Sequence, residues 1–548
     1  MHDPVPVPTL PFCGDLMKRH GLCFLLALCM GATDLALAQS SSDSAIKSTI
    51  IGQRHACVSG GASGFACSNI DLLAKLSVDD LRATVSPEDD VHITDLNDIW
   101  GWTDPDTGDE YALVGMEHGV SFVNITDPIN PVVTGTLRSH NPLTRSIWRD
   151  MKVYRDHMFV VVDGFSGFPE NGVQVFDLTQ LRGVTEPRLF SGSAHYDGIA
   201  SAHNIAINEE TGFAYVVGSR GGTNGPNCGV GLHMIDIKDP LNPTYAGCFN
   251  DPNSGRSNSG YTHDVQCVIY RGPDERYQGR EICLGSNETR LSIADVTDKE
   301  NPTLIASVSY PEVGYAHQGW LTKDQEYFLM NDEFDERGLG YTRTIIWDID
   351  VLDDPIFMRP FENPVGSTDH NLYIRNGYAF QANYRSGLRI IDIEDIHAPQ
   401  EIGFFDTVPD NDSPGFLGAW SAYPFFDSNT IIVSSIHEGL FVLQATNHRS
   451  RVSTEEEAEV PESFHLSSVY PNPFNPNALV TLSLAEAQAV RIAAYDLHGR
   501  EVALLHNGHL PVGAHDFRFE AGHLPSGVYA IKAIGAGATQ VSMATLAK

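Results

Sequence analysis

The chain has 548 residues, 42% hydrophobic and 9% aromatic, with a formal net charge of −35. That apolar content excludes a wholly disordered chain, and so large a negative excess excludes electrostatic attachment to nucleic acid or anionic lipid. It fits a secreted protein kept in solution by its own charge.

The N-terminus carries the three parts of a secretory signal peptide. Met17-Lys18-Arg19-His20 is basic, 22–30 is apolar, and Ala36-Leu37-Ala38 before Gln39 is a small-x-small cleavage site, so 1–38 is predicted to be removed. Residues 1–16 fall outside the pattern, which leaves Met17 as an alternative start. The apolar run is too short to span a bilayer, and no later segment is long and apolar enough. Residues 39–69 read as a linker holding Cys57 and Cys67. With Cys228, Cys248, Cys267 and Cys283 they make an even set, as in an oxidising compartment. The expected pairs are Cys57–Cys67, Cys228–Cys248 and Cys267–Cys283, the last joining two strands of one hairpin. No cysteine lies in a CxxC, which argues against zinc and redox motifs.

From residue 70 to 445 one pattern recurs: Gly, alternating apolar residues, Asp or Asn, then often Asp-Pro-x-Asn-Pro. It reads GVSFVNITDPINP at 119–131, GVQVFDL at 172–178, GLHMIDIKDPLNP at 231–243 and RLSIADVTDKENP at 290–302. It returns as TIIWDID at 344–350, GLRIIDIEDIHAP at 387–399 and GLFVLQ at 439–444. These seven copies lie roughly 45–60 residues apart, the span of a four-stranded propeller blade. Each copy reads as the third strand of a blade, stopped by a turn in which Pro removes a donor and Asp bonds its own backbone. The seventh copy lacks a fourth strand, and 70–77 is a strand without a blade. We therefore expect an all-β fold, a seven-bladed β-propeller whose last blade is completed by 70–77, hiding the free edges. A sandwich or two separate β domains fit seven in-phase repeats poorly.

Residues 446–465, with Thr454-Glu455-Glu456-Glu457 and Pro461, read as an acidic linker. Short alternating strands over 466–548 predict a small β-sandwich, immunoglobulin-like in class. YPNPFNP at 470–476, AAYDLHGREV at 493–502 and LPSGVYAIKA at 524–533 resemble the type A C-terminal sorting domain of the type IX secretion system. That resemblance implies handling by outer-membrane secretion machinery in a Bacteroidetes-like bacterium, then surface attachment or release.

The body also carries NDIWGWTDPDTGDEYALVG (97–115), WRDMKVYRDHMFVV (148–161), SAHNIAINEETGFAYVVG (201–218) and GYTHDVQCVIY (260–270). YAHQGWL (315–321), DHNLYIRNGYAFQANYRSGLRIIDI (369–393) and GAWSAYPFF (418–426) follow. In these stretches it resembles the choice-of-anchor B family, whose repeats are of the LVIVD type. The resemblance implies an architecture and an address, and no particular chemistry.

Aligning the starts of the innermost strands gives Asn97, Arg149, His203, His263, His317, His370 and Ala419, followed by Asp98, Asp150, Asn204, Asp264, Gln318, Asn371 and Trp420. Neighbouring loops add Asp163, Asp332, Glu333, His437 and Glu438. One reading is a transition-metal site of His203, His263, His317 and His370, with Asp150, Asp264, Asp332 and Glu333 as further candidates. Adjacent blades would arrange these histidines as an arc rather than a ring. The alternative is that these side chains bond backbone groups between blades, as repeated polar positions do. A metal-free catalytic site is a third reading. Calcium is a candidate at the 104–110 loop and at Asp332-Glu333 with Asp335 and Glu336, where carboxylates cluster. No GxSxG or HExxH occurs. Two functions follow: a non-catalytic surface module for a protein or glycan ligand, or an extracellular metalloenzyme using the histidines.

Overall fold

The computed structural model describes residues 48–82, 95–164, 170–363, 365–409, 411–446, 464–466, 469, 474, 477–484, 487–510, 513–535 and 539–548. The expected signal peptide and most of the acidic linker lie outside them. The chain divides into two compact units, Met1–Thr446 and Asn447–Lys548.

The first unit is built of antiparallel sheets, seven of which have four or more strands among the described residues. Their first strands are Leu96–Thr103, Arg149–Tyr154, Asn204–Asn208, Asp264–Ile269, Ala316–Leu321, Leu372–Arg375 and Ala419–Tyr423. Each packs beside the next, and Ala419–Tyr423 packs beside Leu96–Thr103. The third strands carry the repeat, and their burial on both faces follows from their apolar and β-branched composition. In Gly119–Asn124 only the terminal Asn124 is not fully buried. The turn after this strand behaves as Asp-Pro-x-Asn-Pro chemistry requires. Asn130 donates from its backbone and side chain to Asp127, and Asn242 and Asn301 repeat this with Asp239 and Asp298.

Apolar cores lie between successive sheets. Phe122 of the first sheet stacks on Phe176 of the second at 4.9 Å between ring centroids. Further cores join the second sheet to the third, and so on to the seventh. A last core sets Ala74 and Val442 of the seventh sheet against Ile99 and Val114 of the first. The seventh sheet is completed by Ile70–Leu76, paired antiparallel with Gly439–Ala445.

The edges hold what the repeat does not specify. Residues 39–69 are not simply a linker: Phe65–Ser68 pairs with Gln400–Phe405 and Gly61–Ala62 with Phe65–Ser68, adding two strands to the sixth sheet. The Cys57–Cys67 disulfide ties this extension together, and Cys228–Cys248 and Cys267–Cys283 are formed as expected. Arg188–Phe190 adds a parallel strand to the first sheet. Gly135 permits this close approach, because a Cβ there would lie 2.0 Å from the Arg188 carbonyl oxygen.

The second unit has two antiparallel sheets, one of His465–Leu466, Asn477–Leu484 and Gly513–Glu520, the other ordered Glu501–Leu510, Gln488–Tyr495, Gly527–Ile534 and Thr539–Leu546. Leu482 and Phe519 of the first share one core with Ile492 and Ile531 of the second. Among the described residues no helix is long and apolar enough to cross a membrane.

Candidate functional site

The first strands of the first, fifth and seventh sheets start irregularly, and this positions polar residues there. In the fifth sheet Ala316 opposes Asp332 and Gln318 opposes Asn331, so His317 is the extra residue of a β-bulge. Trp420 holds the same place in the seventh sheet, between Ala419 opposite Ser435 and Ser421 opposite Ser434. A bulge breaks the strict up-down alternation and re-aims a side chain. It also corrects the sequence alignment: Trp420, not Ala419, corresponds to the histidines, and Ser421 to the following Asp/Asn/Gln position.

The four histidines form one contiguous row. Ring centroids are 4.3 Å apart for His203–His263, 4.1 Å for His263–His317 and 4.3 Å for His317–His370. Nδ1–H of His263 donates to the His317 carbonyl at 2.9 Å, and Nδ1–H of His370 to the Trp420 carbonyl at 2.5 Å. His317 Nδ1 lies within electrostatic reach of the His370 carbonyl without a well-formed hydrogen bond. His203 Nδ1 pairs with Asp163 at 2.8 Å. A carbonyl can only accept, so His263 and His370 carry their proton on Nδ1 and leave the Nε2 lone pair free. Burial, reinforced by the neighbouring imidazoles, drives the pKa of His263 and His317 well below the usual value, and that of His370 to about 3. All three rings are neutral at physiological pH.

Glu333 reaches this row from the second-strand end of the fifth sheet. Its Oε1 lies 3.8 Å from Nε2 of His317 and 3.8 Å from Nε2 of His370, and the three groups are buried. Ligand atoms around a tetrahedral ion at about 2.0–2.2 Å are about 3.3–3.6 Å apart. The three ligand atoms lie within 4.8 Å of one another, so the side chains would draw together around an ion. Tyr384 donates to Glu333 Oε1 at 3.0 Å, yet burial pushes the Glu333 carboxyl up to about 8. Two neutral imidazoles whose other nitrogens face protein, beside a buried carboxyl that a bound cation would ionise, fit a divalent transition ion.

The other predicted residues do other things. His203 and His263 continue the row but do not join the close group of His317, His370 and Glu333. Asp150 Oδ1 accepts from Lys152 at 2.6 Å, and its Oδ2 accepts from the Ile205 amide of the next sheet at 2.8 Å. Gln318 and Asn204 likewise bond backbone groups one sheet on, at 2.8 and 3.0 Å. The second polar layer therefore latches sheet to sheet. Asp332 accepts from Tyr310 and from the amides of Gly314 and Tyr315 at 2.6–2.7 Å, which accounts for both its oxygens in protein bonds. Asp104 of the 104–110 loop is clamped by Arg182 at 2.7 Å through Nε and 2.7 Å through Nη2. These two carboxylates thus have partners without calcium. His437 pairs with Asp95 at 2.9 Å.

A third layer, three residues beyond the histidine position, was not singled out from the sequence. It consists of Trp100, Lys152, Ala206, Gln266, Trp320, Tyr373 and Tyr423, and it lines a cavity of about 450 Å³. The signal was present, since the same alignment gives these residues, but side chains that vary from Trp to Ala do not read as a repeat. Lys152 stands at the floor, 4.5 Å from the centroid of Trp100. Asp98, Asp150 and Asp264 surround its charge. Burial and the Asp150 charge push Asp264 up to about 7.

Residues 468–544 match the family described as "Secretion system C-terminal sorting domain". The chain therefore carries a secretion sorting domain at its C-terminal end, which marks it as exported to the cell surface or beyond. No curated protein matches the chain. Among solved structures, PorZ is similar with 14% identity and a TM-score of 0.41, over 81% of this chain and 58% of PorZ. It is described as an essential bacterial surface component of the type-IX secretion system of Porphyromonas gingivalis. A protein from Lactobacillus plantarum is similar with 12% identity and a TM-score of 0.40, over 78% of this chain and 100% of that one. A hypothetical selenium-binding protein from Sulfolobus tokodaii is similar with 11% identity and a TM-score of 0.41, over 81% and 97%. This chain thus spans 58% of the length of PorZ.

Proposed function

We propose that this is an exported metalloprotein: a seven-bladed propeller of the choice-of-anchor B type with LVIVD-type repeats, holding a divalent transition metal between His317, His370 and Glu333. An immunoglobulin-like sorting domain would deliver it through a type IX machinery to the outer surface of a Bacteroidetes-like cell, or into the medium. The propeller reading is supported by the succession of sheets, each packed on the next, and by the strand from the start of the body that completes the seventh. The metal reading rests on one observation, the 3.8 Å approach of Glu333 Oε1 to both imidazole Nε2 atoms. Two imidazoles and a carboxylate leave coordination positions open, the pattern of zinc hydrolases and non-haem iron(II) sites. The ion would act as a Lewis acid or redox centre. The protein would fix the ring tautomers through the Nδ1–H bonds and keep the site dry.

Elemental analysis of protein purified without chelator tests this. About one equivalent of zinc, iron or another divalent transition metal is expected, falling at least tenfold in Glu333→Gln and His370→Ala with circular dichroism unchanged. Metal-free protein that takes up no ion on titration would end the proposal.

A second reading is a non-catalytic interaction module for a protein or glycan. It is favoured by Leu143, Ile147 and Trp148, exposed by 78%, 37% and 40% on the connection into the second sheet.

A further inference from the structure

The cavity lined by the third layer is separate from the histidine row in residues and chemistry. Its walls are aromatic. Trp100 lies 5.6 Å from Tyr373 and 5.1 Å from Tyr423, and Trp320 lies 5.1 Å from Tyr373, as ring centroids. Phe425 closes the group, 6.2 Å from Trp100 and 6.0 Å from Trp320. These rings come from the first, fifth, sixth and seventh sheets, so packing within one sheet does not explain them. Indole and phenol faces carry negative potential and attract cations.

The floor is short of positive charge. Lys152 is the one ammonium among Asp98, Asp150 and Asp264, and it is held at 2.6 Å by Asp150. Asp264 accepts from the Val265 amide, and Asp98 accepts from the Ile99 amide and bonds Ser421 and Asp150. Arg271 pairs with Glu210 of the lining, and Arg375 bonds the carbonyls of Pro424 and Phe426. Asp264, Glu209 and Glu210 are the acidic side chains of the lining. Lys152 itself shows how an ammonium is received here, on an indole face and against a carboxylate. An anion would meet the acidic groups of Asp264, Glu209 and Glu210 and a lysine already paired. A neutral apolar ligand would leave the carboxylates uncompensated.

We propose that this cavity binds an organic ammonium ion, with Trp100 and Trp320 as its cation–π walls and Asp264 as its counter-charge. The volume suits a small methylated or alkyl amine. The inference does not depend on the metal centre, whose ligands are other residues.

Titration of the full mature chain, followed by tryptophan fluorescence and calorimetry, tests it. The probes are tetramethylammonium, choline and benzylammonium, with 3,3-dimethylbutan-1-ol as the neutral isostere of choline and glucose as a sugar control. We expect saturable binding of at least one ammonium probe. Where choline binds, it should exceed its isostere by about tenfold or more. Trp320→Ala should weaken the ammonium about tenfold, and Trp320→Phe should restore most of it. Asp264→Asn keeps the bond to the Val265 amide and should bring choline and its isostere close to parity. The same affinities in chelator-treated protein would separate this site from the metal centre. Equal binding of choline and its isostere, preference for glucose, or no saturation by any ammonium probe would overturn the proposal. If Trp320→Ala does not fold, Asp264→Asn decides on charge alone.

Discussion

His233 sits wholly buried in the third strand of the third sheet, its Nε2 bonded to the Tyr196 hydroxyl at 2.7 Å. Burial lowers its pKa to about 4. Above the unfolded value of about 6.5 the ring is neutral in both states and costs nothing. As pH falls from about 6.5 to about 4, the unfolded chain binds a proton that the folded one refuses, and stability is lost. The loss is about 3 kcal/mol by pH 4. Denaturant titrations at pH 7 and pH 4.5 should show it, and His233→Gln should remove this share of the pH dependence while His263, His317 and His370 keep theirs; an unchanged profile would refute the assignment. The histidines of the row show what single residues disclose. Their common position is legible, because the repeats align it. The departure of Glu333 toward His317 and His370 is not, because it depends on where a loop ends in space. Asp332, its neighbour and equal on paper, turns instead to the Gly314 and Tyr315 amides that lead into the first strand of its sheet.

A strand with its partner is the next unit of legibility. Cys267 and Cys283 face each other directly in the first hairpin of the fourth sheet, and alternation alone places them so. Their bond closes a loop of 16 residues. Replacing both by serine should cost roughly 2–4 kcal/mol, read as a lower denaturant midpoint with fluorescence of the folded state unchanged. The bulges lie beyond this kind of reading. Nothing local to Ala419-Trp420-Ser421 announces that one residue will be extruded. The bulge becomes apparent only when His370 bonds the Trp420 carbonyl and Asn371 bonds Ser421 at 3.3 Å. The two-strand extension at Gly61–Ala62 and Phe65–Ser68 was also missed. It follows no repeat and owes its place to an unpaired edge of the sixth sheet and to the Cys57–Cys67 bond.

At the scale of the whole first unit, the phase of the repeats determines most of the fold. Seven copies and an unmatched strand at 70–77 leave one arrangement in which no long edge stays open, and Ile70–Leu76 lies against Gly439–Ala445. That strand buries Ile70, Leu72, Leu73 and Leu76. At about 2 kcal/mol for each large apolar side chain, its loss approaches the roughly 5–15 kcal/mol that holds a domain together. A chain starting at residue 78 should therefore be recovered as aggregate, and Leu72→Asp should cut the yield of soluble monomer severely, both measured by size exclusion with light scattering. A well-folded truncated monomer would show that the pairing is dispensable. The third layer, by contrast, runs Trp100, Lys152, Ala206, Gln266, Trp320, Tyr373 and Tyr423 from sheet to sheet, and there repetition ceases to inform.

The pairing of Ile70–Leu76 with Gly439–Ala445 has a consequence for how the protein comes into being. The earliest-made part of the body must wait for the latest-made before either has a neighbour on that side. Until residue 445 has emerged, a ribosome or a translocon holds a chain whose first strand is unclaimed and whose last sheet does not exist. Maturation is thus a single terminal event, a clasp shut once, and an export route that keeps the chain extended until it is complete would suit it.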